Sequence, residues 1–115
     1  MVLLDSNIIV YLSQNLVNLD DIADDDSIMA VSAITYMEVL GYPFGDAKQR
    51  AFIEKLFSFL EILYIDEDIA YKTVLLRKDN KIKLPDAIIC ATALAKEASL
   101  ITNDERLKSI YARYS

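Results

Sequence analysis

The chain has 115 residues, 54% of them hydrophobic, a length that suits one domain burying roughly two-thirds of its unfolded surface, with no apolar run near the roughly 20 residues a bilayer span needs. Histidine is absent and Cys90 is the lone cysteine, which excludes His-based nucleophilic schemes, His-bearing zinc sites and internal disulfides. The net charge of −6 argues against broad electrostatic binding of nucleic acid and leaves room only for a local basic strip.

"VLLD" (2–5) is a short apolar run ending in an acid and reads as a buried strand, followed by "NIIVYLSQ" with helical character. No basic leader precedes it, and with a single unpaired thiol the default setting is cytoplasmic. "DDIADDD" (20–26) reads as a solvated acidic turn and "SIMAVS" (27–32) as a second strand. Ser32 is placed to cap the helix "AITYMEVLG", which Gly41 stops. Beyond the turn "YPFGD", the run "AKQRAFIEKLFSFLEIL" sets Phe52, Ile53, Leu56, Phe57, Phe59 and Leu60 at helical spacing, and "EILYID" (61–66) contains a third strand. A helix over 67–80 carries Ile69, Ala70, Thr73, Val74 and Leu76 in one band; a nearly all-apolar helix over 85–97 follows. Strand "SLIT" (99–102) and the short helix "DERLKSIYARY" complete the chain. With two prolines, two glycines and no repeat, nothing offers a linker, so residues 1–115 are expected to form a single domain.

Short, continuously apolar strands alternating with helices predict an α/β fold: a three-layer α/β/α sandwich around a parallel sheet of four strands, with a fifth left open by the early end at Ser115. In such sheets ligands bind beyond the carboxyl ends of the strands. Asp5 closes the first strand, Asp104 follows the last by two residues, Asp86 opens the apolar helix, and Glu38 lies about one and a half turns into the helix after the second strand. Singly, each acid has a bland reading: Asp5 and Asp104 as helix caps, Asp86 as a complement to the helix dipole, Glu38 as solvated surface. Together they are costly, since two carboxylates about 4 Å apart repel by roughly 4 kcal/mol at an effective dielectric near 20. A cation offsets that cost, and an all-oxygen ligand set favours Mg²⁺ or Mn²⁺ over zinc.

Asp5 within "LLDSN", Glu38 within "TYMEVL", Asp86 within "KLPDAIICATAL" and Asp104 within "LITNDERL" resemble, in order and spacing over residues 2 to about 108, the PIN domain and within it the VapC-type ribonuclease toxins of toxin–antitoxin pairs. The resemblance implies a metal-dependent endoribonuclease that leaves 5′-phosphate and 3′-hydroxyl ends, with Asp5, Glu38, Asp86 and Asp104 as the acidic site. Asp5 and Asp86 would be the principal metal ligands, Asp104 would serve a second ion or a bound water, and Glu38 would orient the attacking water. Ser6, Asn7 and Thr102 are expected nearby as polar helpers. A homodimer inhibited by a small antitoxin protein is the implied assembly.

RNA needs a cationic path to such a pocket. Lys72, Arg77, Lys78, Lys81 and Lys83 crowd the twelve positions 72–83, just before Asp86. Lys81 and Lys83 are the leading candidates for RNA phosphate contact, with Arg77 behind them; the competing reading is a solvated helix end. The tyrosines and the helix "FIEKLFSFLEIL" read as core rather than stacking surface. Two rival functions remain: a catalytically silent, partner-binding module on the same fold, and a Mg²⁺-dependent phosphatase or receiver-like domain. The latter calls for an early acid pair and a lysine after a late strand, and "LITND" carries none.

Overall fold

In the computed structural model, which describes residues 1–22 and 27–115, the apolar runs form strands of three or four residues. These are β1 (Val2–Leu4), β2 (Met29–Ser32), β3 (Glu61–Leu63) and β4 (Ser99–Ile101). They pair in parallel in the order β3-β2-β1-β4, with Leu3 opposite both Ala30 and Leu100. The helices are α1 (Ser6–Ser13), α2 (Ala33–Leu40), α3 (Ala47–Phe59), α4 (Glu67–Asp79), α5 (Leu84–Ala95) and α6 (Glu105–Tyr114).

Side chains alternate across a strand, so neighbouring leucines in β1 serve opposite cores. Leu3 joins Ala30, Leu100, Ile69, Leu76, Ile89, Leu107 and Ile110 on the face covered by α4, α5 and α6. Leu4 joins Val31, Ile8, Ile9, Leu12, Ile53, Leu56 and Phe57 on the face covered by α1 and α3. Covering both faces is what makes the strands read as unbroken apolar runs. Helix α5 is buried continuously from Ala87 to Ala93, and the Thr92 hydroxyl is satisfied by donating to the Ile88 carbonyl at 2.7 Å.

The strand order determines where a site can form. The chain moves outward from β1 through β2 to β3, then crosses back to lay β4 on the free side of β1. Helix α1 leaves β1 toward one face of the sheet, whereas α6 leaves β4 toward the other. Between these two strands the connections part and open a crevice past the carboxyl ends. Five helices begin with a capping oxygen: Asp5, Ser32, Asp46, Asp66 and Asp104 accept backbone N–H groups of α1, α2, α3, α4 and α6. At α5 the N-cap is Lys83, which offers no capping bond.

Several expectations need correction. Helix α3 ends at Phe59, because Leu60 turns to an extended conformation and feeds β3. Only Ile53, Leu56, Phe57 and Leu60, an i, i+3, i+4, i+7 stripe, reach the core, which leaves Phe52 half exposed and Phe59 70% exposed. In α4 the buried stripe is Ile69, Thr73 and Leu76, with Ala70 and Val74 turned outward. Tyr42, Tyr64 and Tyr71 are surface residues: Tyr42 follows the end of α2, Tyr64 follows the edge strand β3, and Tyr71 is on the face of α4 away from its buried stripe. Of the acidic run, Asp20 and Asp21 lie in an exposed 3-10 turn, and residues 23–26 lie outside the described residues. The described sheet has four strands, and no described helix is long and apolar enough to cross a membrane.

Candidate functional site

Asp5 is the first residue past β1, and its amide donates to the Ile101 carbonyl of β4 at 3.0 Å, which fastens it to the β1–β4 seam. It is 5% exposed. A carboxylate buried that deeply needs hydrogen bonds. The Ser6 amide donates to Oδ1 at 2.7 Å and the Thr102 hydroxyl to Oδ2 at 2.6 Å. The same Thr102 oxygen accepts the Asp104 amide at 3.0 Å, so one buried hydroxyl links two of the predicted acids. Asp104 in turn accepts the Leu107 amide at 3.0 Å and caps α6. Capping and membership of the acidic cluster are compatible, because the crevice lies where these helices begin.

Ser6 connects this pair to Glu38. Its hydroxyl donates to Glu38 Oε1 at 3.2 Å and lies 3.0 Å from Thr35 Oγ1. A serine hydroxyl has one proton, so when Ser6 gives it to Glu38, Thr35 donates to Ser6. Thr35 is fully buried, one turn before Glu38 on α2, and holds the chain of hydroxyls from beneath. Glu38 itself is exposed.

Asp86 is half-buried in the first turn of α5. Its carboxyl is pushed above the ordinary aspartate range, first by burial and then by the negative charges of Asp5, Asp104 and Glu38, with Lys83 opposing. The four acids therefore share one electrostatic neighbourhood, and among the described residues no hydrogen bond relieves the charge on Asp86. Among the described residues, no three acids are arranged to cage an ion. Any ion held here would meet one or two carboxylates rather than a protein cage, and Mg²⁺ is a metal that can be bound in that way, completing its shell with water and substrate phosphate. The hard-oxygen donor set fits as well.

Clefts flank the acids. One, of about 310 Å³, is lined by Lys81, Lys83, Asp86, Asp104 and Arg106. Another, of about 610 Å³, holds Ser6, Asn7, Glu38, Tyr42, Phe44 and Gln49 and carries no cation. Asn7 is exposed in this second cleft, apart from the Asp5–Thr102–Asp104 chain. Arg77 does not reach the acids; it lines an adjoining hollow with Lys81 and Lys83. Lys72, the first of the basic strip, pairs with Asp68 at 2.6 Å on the surface of α4. Two residues escaped the sequence reading. Thr35 was legible only as the residue one turn before Glu38, and Arg106 only as a cation in the first turn of a helix, where a cation is unfavourable.

A family profile described as the PIN domain matches residues 2–113. Among solved structures, a chain of a toxin–antitoxin complex from Klebsiella pneumoniae is 34% identical, with 92% of this chain and 88% of that chain covered and a TM-score of 0.73. A chain of VapBC-1 from nontypeable Haemophilus influenzae is 26% identical over 100% of this chain and 96% of that one, with a TM-score of 0.75. A chain of VapBC2 from Rickettsia felis, bound to a DNA fragment from the promoter, shares the fold at a TM-score of 0.80 with 24% identity, covering 96% and 93%. A comparison with curated proteins gives no match. The match over nearly the whole chain sets aside the phosphatase or receiver-like alternative: the chain belongs to the PIN-domain family.

Proposed function

We propose that this PIN-domain chain is a Mg²⁺- or Mn²⁺-dependent endoribonuclease, the toxin of a toxin–antitoxin pair, working in the cytoplasm as a one-domain protomer of a homodimer and restrained by a small antitoxin protein. The similar structures from Klebsiella pneumoniae and Haemophilus influenzae, toxin–antitoxin and VapBC assemblies respectively, support the antitoxin partner. The observation that carries the nuclease reading is the half-buried Asp86 carboxyl, pushed above its ordinary range first by burial and then by the charges of Asp5, Asp104 and Glu38. A domain that keeps such a group at the mouth of its most buried helix gains from a cation there.

Asp5, oriented by the Ser6 amide and the Thr102 hydroxyl, and Asp86, mounted on rigid α5, would hold the ion. When bound, the ion supplies charge neutralisation at the scissile phosphate and acidity for a water. Glu38, steadied by Ser6, orients the attacking water from the α2 side. Asp104, fixed by its capping bond, positions a water or a second ion from the α6 side. Asn7 supplies a further polar group beside Glu38, and Lys81, Lys83 and Arg77 receive the RNA backbone.

The test is cleavage of tRNA and mRNA with added Mn²⁺. Wild type is expected to cut, with Asp5→Asn and Asp86→Asn slower by about 10²-fold or more. Equal cleavage by all three refutes the site. Failure of wild type to cut any RNA, together with tight binding of a partner protein, establishes the silent binding module instead.

A further inference from the structure

The cleft beside Asp86 and Asp104 is lined by three cations from two separate parts of the chain: Lys81 and Lys83 from the α4–α5 connection and Arg106 from α6. Ion pairs between described residues engage Arg50, Lys72, Lys96 and Lys108, and none involves these three. All three are exposed, and they share the cleft with two acids without closing salt bridges to them. The hollow of about 490 Å³ lined by Arg77, Asn80, Lys81, Ile82 and Lys83 shares Lys81, Ile82 and Lys83 with this cleft, so cationic residues extend from beside the acids to Arg77 in the last turn of α4.

Two of these cations stand where local rules disfavour them. Lys83 is the N-cap of α5, the one α-helix among the described residues without a capping side chain, and Arg106 is the second residue of α6. A positive charge at a helix N-terminus opposes the dipole by about 0.3–1 kcal/mol. Conflicts between local preference and the fold gather at functional positions. An anion in the cleft removes the conflict at both helices at once.

We infer that Arg106, with Lys81 and Lys83, holds a backbone phosphate of single-stranded RNA next to the one that is cut. The cleft places the substrate on the α5–α6 side of the acids, while the cation-free cleft at Tyr42 and Phe44 lies on the other side. Arg106 is thus a substrate-positioning residue that lines the same cleft as Lys83 from a different helix, and its planar fork suits a phosphate oxygen pair. The inference rests on the ribonuclease reading.

The experiment uses a fluorescently labelled single-stranded RNA, with binding to the Asp86→Asn protein followed by anisotropy across a KCl series in Mn²⁺. Adding Arg106→Ala should weaken binding by about 5–10-fold at low salt and flatten the log Kd–log salt slope by about 0.7, one phosphate contact on a single strand. Lys55→Ala, an equal charge change on α3 across the sheet, should leave both unchanged. In the cleaving protein, Arg106→Ala should raise KM more than it lowers kcat, with Arg106→Lys in between. If wild type cleaves RNA but Arg106→Ala matches it in Kd, slope and KM, the inference is overturned and the ribonuclease reading stands. If wild type neither cleaves nor binds RNA, both fall.

Discussion

Thr102→Val would replace the hydroxyl that joins Asp5 to Asp104 with a methyl of nearly the same size. Thr102 is 4% exposed, so water cannot take over its role beside Asp5. The bond to the Asp5 carboxylate, at 2.6 Å and fully buried, belongs to the charged class worth about 1.5–3 kcal/mol net. The bond accepted from the Asp104 amide, at 3.0 Å, is neutral and partly exposed, and contributes about 0.5 kcal/mol. A loss of about 2–3.5 kcal/mol follows. For 115 residues the entropy of melting is about 240 cal/mol/K, so each kcal/mol moves Tm by about 4 °C and the variant should melt about 8–14 °C lower. Thr102→Ser keeps the hydroxyl and loses one methyl, so it should lie within about 1 kcal/mol of wild type. The assay is thermal unfolding by circular dichroism in EDTA, which keeps metal out of the comparison. A Thr102→Val protein melting within about 2 °C of wild type would refute the reasoning, as would a serine variant that falls as far as the valine.

Asp86→Asn should raise Tm in EDTA at pH 7. The folded carboxyl titrates above its ordinary value of 3.8, so wild type loses stability as pH rises past that value; the advantage of Asn should narrow as pH falls toward it. Mn²⁺ should raise the Tm of wild type and leave that of Asp86→Asn in place; an equal rise in both speaks against Asp86 as a ligand. Ser6→Ala and Thr35→Val should combine non-additively, with a coupling of about 0.5–1 kcal/mol in a thermal double-mutant cycle, because they remove two ends of one bond; simple additivity contradicts the hydroxyl chain. Burial pushes the Cys90 thiol up to about 11, so native protein at pH 8 should resist thiol reagents until it unfolds, and rapid labelling of the native state would disprove the burial.

Much of the architecture is legible locally. Apolar runs of three or four residues between helical stripes require strands covered on both faces, and capping oxygens at Asp5, Ser32 and Asp104 mark where α1, α2 and α6 begin. The apolar character of α5 reflects its continuous burial. Local periodicity reads less well where a helix meets an edge: Phe59 has helical spacing with the α3 core residues, yet β3 begins two residues later and leaves the ring in solvent. Thr102 was recognisable only as a neighbour of Asp104, and nothing in "SAITYME" distinguishes Thr35 from any other polar residue on a helix.

By itself, the sequence determined the types of element, the absence of histidine chemistry and a set of acids at the ends of strands and the starts of helices. The tertiary structure decided that β4 returns to pair with β1 rather than extending the sheet beyond β3. That pairing brings Thr102 against Asp5, across 97 residues of chain, and opens the crevice on which Asp86 and Glu38 converge. Local pattern reports what each segment buries. Which strand lies beside which depends on how all the apolar faces are covered at once, and a hydroxyl bridging two acids exists only after that has been settled.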